Sequence, residues 1–176
     1  MNKTRALGLT TLVAAAGLVL GSGVAAATPS GQDPVLAPAS GDAVTMATKI
    51  SHADATNRLR AAGISWSSSG GCSDRNRPNC TSFTQVNLAT IQGAITLKNA
   101  SRCGLNVTGG TETGHASGTY SHWNGYKLDF GLSSCLDNYV KGNFASIGGS
   151  KWKAPSGNIY YREGNHWDVV FYSCGC

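Results

Sequence analysis

Ile159-Tyr160-Tyr161-Arg162-Glu163-Gly164-Asn165-His166-Trp167-Asp168-Val169-Val170-Phe171-Tyr172 is the stretch that decides the fold class. β-Branched and aromatic residues crowd its two arms, 159–162 and 166–172, and Glu163-Gly164-Asn165 parts them. It reads as an antiparallel strand pair. Alternate residues of a strand share a face, so His166 and Asp168 lie on one side and Trp167, Val169 and Phe171 on the other. A purely structural strand would carry Thr or Ser on its polar side. An imidazole and a carboxylate there must face solvent, pair with each other or hold a metal, because burying either one unpaired is costly.

Outward from this pair the pattern changes with distance. Residues 105–108 read as a short strand, 109–121 as a polar loop, 126–130 as a strand and 135–140 as a short helix. Further upstream, Ile50, Ala53, Leu59 and Ala62 recur at helical spacing within 48–63, with Gly63 as a stop and His52 on the solvated face. Residues 65–79 form a Ser/Gly/Asn loop. Thr81-Ser82 can cap a second helix running to about Asn99, with Phe83, Val86, Ile91, Ile95 and Leu97 on its apolar side. Helices first and strands later imply an α+β domain, its N-terminal helices packed on a small antiparallel sheet. No internal repeat is visible.

The first residues lie outside this domain. Lys3 and Arg5 precede an uncharged run, 7–24, and Ala25-Ala26-Ala27 offers a signal-peptidase site, so 1–27 reads as a secretory signal peptide. Residues 28–46, rich in Pro, Ala, Gly and Ser, read as a disordered linker or pro-segment. Residues 47–176 are left to fold, enough for one core. The expected location is extracellular, with no membrane contact after signal cleavage. The net charge of +5 falls to +3 when Lys3 and Arg5 leave with the signal. That mild balance suits an anionic surface such as a cell wall, and no basic stripe or arginine cluster argues for nucleic acid.

Cys72, Cys80, Cys103, Cys135, Cys174 and Cys176 all fall in the folding part, and an even count in an oxidising compartment implies disulfides. Cys72 and Cys80 flank a polar loop and form the easiest local pair. Cys174 and Cys176 are too close to pair comfortably, so they are expected to tie the C-terminal strand to two distant sites. The cysteine spacings match no zinc-finger pattern.

The chemistry gathers at Ser121-His122-Trp123-Asn124-Gly125-Tyr126-Lys127-Leu128-Asp129 and at Glu163–His166. Asp129 shares a strand face with Lys127, whereas Leu128 and Phe130 point to the core. An Asn124-Gly125 turn can swing the ring of His122 back over the Asp129 carboxylate. Two histidines and a carboxylate can close three corners of a zinc tetrahedron, and a second carboxylate nearby can hold water in the fourth. The bland alternative for His122 and Asp129 is a hydrogen-bonded pair that steadies a strand entry.

His122-x-x-Gly125-x-x-x-Asp129, followed by Glu163-x-x-His166, resembles the motifs of the zinc D-Ala-D-Ala peptidases and related murein peptidases. That superfamily also includes the Hedgehog signalling domain. The similarity spans roughly 108–171, and Ser121 before the first histidine fits the family habit. The resemblance implies His122, Asp129 and His166 as Zn2+ ligands and Glu163 as the general base. In an alternative register Asp168 is the third ligand and His166 the catalytic helper; the spacing of Glu163 favours His166. His115, in the Gly-rich loop 109–118, could contact substrate, bind a second metal or simply be solvated. Many of these peptidases carry an arginine upstream of the first histidine, and the corresponding 109–112 has none.

The expected function is that of a secreted, monomeric zinc metallopeptidase, a hydrolase acting on peptidoglycan stem or cross-bridge peptides as a D-Ala-D-Ala carboxypeptidase or endopeptidase. The alternative keeps fold and metal without turnover, as a zinc-containing cell-wall-binding or signalling module. A serine hydrolase is disfavoured because there is no nucleophile elbow, and cysteine nucleophiles because disulfides should consume all six thiols.

Overall fold

A computed structural model describes residues 48–176; the signal peptide and linker expected before them lie outside the described residues. The domain is α+β, with three helices and a mixed sheet. The chain runs β1 (Lys49–Ile50), α1 (His52–Ala61), β2 (Ser65–Trp66), β3 (Val86–Asn87), α2 (Leu88–Ser101), β4 (Asn106–Gly109), β5 (Lys127–Gly131), α3 (Ser134–Asn143), β6 (Ala145–Gly148), β7 (Lys151–Lys153), β8 (Ile159–Arg162) and β9 (His166–Val170). Seven strands form one sheet in the order β2-β4-β5-β9-β8-β7-β6, and β1 and β3 pair separately. No helix among the described residues is long and apolar enough to cross a membrane.

The sheet is neither small nor purely antiparallel. β2, expected as loop, lies parallel to β4, and β6 and β7 add a hairpin between α3 and β8. The remaining pairings are antiparallel, including the expected β8–β9 pair.

Both helices start later than the sequence implies. Lys49–Ile50 is drawn into a strand with Val86–Asn87, so α1 begins after Ser51, whose hydroxyl accepts the Asp54 N–H at 3.1 Å. Thr81 does not cap α2. Its hydroxyl donates to the Ser67 and Thr108 carbonyls at 2.8 and 3.1 Å, and 81–87 crosses the domain before α2 begins. His52 is not on a solvated face: its Nδ1 accepts the Phe83 N–H at 3.0 Å, and its ring stacks on Phe83.

One face of the central strands forms the core. Leu128 and Phe130 of β5, and Trp167 and Val169 of β9, are fully buried, as is Phe171, and they cluster with Leu59 of α1 and Ile91, Ala94 and Leu97 of α2. The opposite face of β5 and β9 carries Lys127, Asp129, His166 and Asp168. The core fixes this polar face, because a one-residue slip in register would drive its charged groups into the apolar core.

Cys72 pairs with Cys80 (Cα separation 4.8 Å) and Cys103 with Cys135 (5.7 Å). The second bridge joins the chain just beyond α2 to α3. Cys174 and Cys176 are unpaired, contrary to the expectation that they tie the last strand to distant sites. The other four sulfurs satisfy one another and leave no distant partner.

Candidate metal centre

Register builds the site. Asp129 lies opposite Asp168, and Gly131 opposite His166, so neighbouring strands deliver two carboxylates and an imidazole to one face. His122 arrives from the preceding turn. Its carbonyl accepts the Gly125 N–H at 2.8 Å, and Gly125 has φ +76°, a conformation that favours glycine. A Cβ there would also come within 2.6 Å of the Gln85 carbonyl oxygen. The turn expected at Asn124-Gly125 is what places the buried His122 ring over Asp129.

Asp129 Oδ1 stands between two imidazoles. His122 Nε2 is 3.3 Å from Asp129 Oδ1, and His166 Nε2 is 3.5 Å from the same oxygen. That oxygen is buried and has no hydrogen-bond partner. Ligand atoms around a tetrahedral ion with zinc-like bond lengths would be about 3.3 Å apart, a spacing that each histidine keeps from Asp129. The other ring nitrogens are engaged by oxygens. His122 Nδ1 donates to the Gly110 carbonyl at 2.7 Å, and His166 Nδ1 pairs with Asn165 Oδ1 at 2.8 Å. A metal-binding imidazole needs this arrangement, with Nδ1–H held by an acceptor and the Nε2 lone pair pointing inward. Glu163 Oε2 lies 3.4 Å from His166 Nε2, so the proposed base stands at the edge of the same cluster.

Asp168 has a different set of partners. Its Oδ2 accepts from Lys127 Nζ at 2.9 Å within the protein and lies 3.8 Å from His122 Nε2, whereas Oδ1 is buried without a hydrogen bond. Burial alone would raise its pKa, but His122 and Lys127 outweigh that effect and hold it down to about 2. Burial likewise disfavours a charged His122, yet the Asp129 and Asp168 carboxylates push its pKa up to about 10. Asp129 is held below the usual carboxylate range against its own burial, chiefly by His122. The centre thus attracts positive charge, which a proton on His122 or a metal ion can supply.

His115 lies on the other side of Asp129, its ring stacked on His122 with centroids 3.8 Å apart. It is not a free loop residue. Its Nε2 meets Glu112 Oε1 at 3.1 Å, and its Nδ1 faces Asp129 Oδ2 at 3.7 Å. Among the described residues, His115, His122 and Asp129 are the one group of three whose ligand atoms all lie within 4.8 Å of one another; His166, expected as the third ligand, reaches Asp129 but falls outside that group.

Glu112 went unrecognised in the sequence. Its buried carboxylate accepts the Ser82 N–H at 2.7 Å and the Gly110 N–H at 3.0 Å. Burial would raise its pKa, but the bonds from His115 and these amides lower it. Ser82 lies thirty residues away in the chain, so no local pattern announces the contact. Arg75 was missed in the same way. Residues 109–112 contain no arginine, but Arg75 reaches that loop from 65–79, donating to the Thr111 carbonyl at 3.2 Å and to the Trp123 carbonyl, and stacking on the Trp123 ring. Beside the centre, a cavity of about 270 Å³ is lined by residues 112–118 with Ser121, Trp123 and Asn124. Comparison with protein-family models, curated proteins and solved structures found no match for this chain.

Proposed function

We propose that this domain is a zinc metallopeptidase that hydrolyses an amide bond in the peptide part of peptidoglycan, exported by the signal peptide read in residues 1–27. The observation that carries the reading is Asp129 Oδ1, a buried oxygen without a hydrogen bond facing two Nε2 atoms at 3.3 and 3.5 Å. The donor set of two imidazoles and a carboxylate fits zinc, and the motif resemblance to the D-Ala-D-Ala peptidase and Hedgehog superfamily supports the same assignment and a fold of that kind. His122, Asp129 and His166 would hold the ion, with His115 and Asp168 beside it.

Zinc, when bound, supplies a Lewis acid that polarises the scissile carbonyl and acidifies the attacking water. Glu163 then takes the water's proton and passes it to the leaving amine, acting as base and then acid. It lies 3.4 Å from the His166 imidazole on a partly exposed turn, at the cluster's edge and open to solution. Gly110 and Asn165 hold the two imidazoles in the ligand tautomer, and the cavity beside His115 offers room for a short peptide arm. A carboxylate placed for proton transfer favours catalysis over a purely binding module.

The test separates metal from turnover. Elemental mass spectrometry of the purified protein should find about one zinc per chain. The His122→Ala variant should lose both zinc and release of peptide fragments from peptidoglycan, whereas Glu163→Gln should keep zinc and lose at least about a hundredfold in rate. Zinc without turnover in the unmodified protein would support the binding-module alternative. A folded protein that takes up no metal would leave His122 and Asp129 as a structural pair and end the peptidase reading.

A further inference from the structure

Four of the six cysteines are paired with each other, and the remaining two sit side by side in an ordered setting. Asn158, itself buried, anchors the chain just before them: its Oδ1 accepts the Tyr172 and Ser173 N–H groups at 2.9 and 3.2 Å, and its Nδ2 donates to the Ser173 carbonyl at 3.2 Å. Gly175, at φ +61°, then turns the chain between the two cysteines. The Cys176 N–H donates to Cys174 Sγ at 3.3 Å, and the two thiols are within hydrogen-bonding reach of each other. Cys176 Sγ lies 3.7 Å from Thr96 Oγ1 on α2. Cys174 is half-buried and Cys176 exposed, so the pair is held in place and open to solution.

We propose that Cys174-Gly175-Cys176 is a thiol–disulfide exchange site that reacts with low-mass disulfides of the glutathione type. The Cys174 thiolate attacks one sulfur of the disulfide and expels the other as a thiolate, leaving a mixed disulfide. The Cys176 thiolate then attacks the Cys174 sulfur and expels the second small thiolate, closing a Cys174–Cys176 disulfide. Two electrons pass from the protein to the reagent, and the two cysteine protons end on the two released thiols. The direction of attack follows from the surroundings. The Cys176 N–H points at Cys174 Sγ and would stabilise a thiolate there, whereas the Cys176 Sγ faces only the Thr96 hydroxyl, so Cys174 is the readier nucleophile. The sequence pattern alone pointed elsewhere, because two thiols so close in the chain were expected to seek distant partners.

The experiment equilibrates the purified protein with glutathione and glutathione disulfide at graded ratios. It is then acid-quenched, alkylated with N-ethylmaleimide and weighed intact. Under reducing ratios two alkylated thiols are expected, at Cys174 and Cys176; under oxidising ratios none, with no glutathione attached, in a single two-electron transition. Cys174→Ser and Cys176→Ser should each retain one bound glutathione, because neither can resolve its mixed disulfide. Alkylation under limiting reagent should mark Cys174 before Cys176. If the unmodified protein accumulates glutathione adducts or disulfide-linked dimers without closing the ring, or if Cys72, Cys80, Cys103 or Cys135 exchanges in place of this pair, the proposal is overturned. The metal centre takes no part in the readout, so its assignment can fail without affecting this one.

Discussion

At the residue scale, His122 concentrates the conflict in the site. The Gly110 carbonyl fixes its Nδ1–H, so the proton on Nε2 and a metal ion compete for one lone pair. With its pKa pushed up to about 10, His122 carries that proton at neutral pH whenever no ion is bound. Metal binding must expel it. Apparent affinity should therefore rise about tenfold per pH unit across the neutral range, as competition with a chromophoric chelator would show. A flat profile would mean that His122 is already neutral. Lys127 has the complementary role, since it is buried against Asp168 at 2.9 Å. Lys127→Met leaves that carboxylate with one fewer counter-charge and should cost about 3–5 kcal/mol in denaturant unfolding. Adding Asp168→Asn should recover much of that loss, because the stranded charge goes with it.

Among the elements, β4 matters to the centre through an absent side chain. Gly109 lies opposite Asp129, and a Cβ there would come within 2.3 Å of Asp129 Oδ2. Gly109→Ala should turn the carboxylate away and weaken metal uptake at least tenfold while leaving the circular-dichroism spectrum intact. Unchanged uptake would show that Asp129 can shift without leaving the ion. Strands such as β5 and β9 were legible because burial on one face writes an alternation into them: Leu128 and Phe130, Trp167 and Val169. β6 was not, because all four of its residues are exposed and no alternation is selected. β1 and β3 are two residues long and pair across a long stretch of chain, so propensity carries no trace of them. The start of α2 was misplaced because Thr81, chemically a good cap, is spent on tertiary bonds. The same logic divides the site. His122, Asp129 and His166 lie on a turn and two strands with local signatures, whereas Glu112 and Arg75 act through backbone groups remote in sequence.

On the scale of the whole molecule, the central sheet packs its core on one face and holds a cluster of buried charge on the other, so stability depends on pH through that second face. Asp168 has a folded pKa of about 2 against an ordinary 3.8. Its contribution is present above the ordinary value and is lost as the pH falls towards 2. His122 runs the other way, with a folded pKa of about 10 against 6.5. Its contribution is complete below 6.5 and is lost as the pH climbs towards 10. The metal-free protein should therefore be most stable between about pH 4 and pH 6.5 and weaken on both sides. Bound metal removes the alkaline decline, because it replaces the proton on His122 and holds the imidazole neutral in the folded state. Denaturant unfolding across this range, with chelated and metal-loaded protein side by side, should show the alkaline decline in the first and not in the second. Parallel alkaline declines would place the pH-sensitive charge somewhere other than His122. They would also remove the electrostatic reason for a cation at the centre, since Asp129 and Asp168 would then be balanced without one.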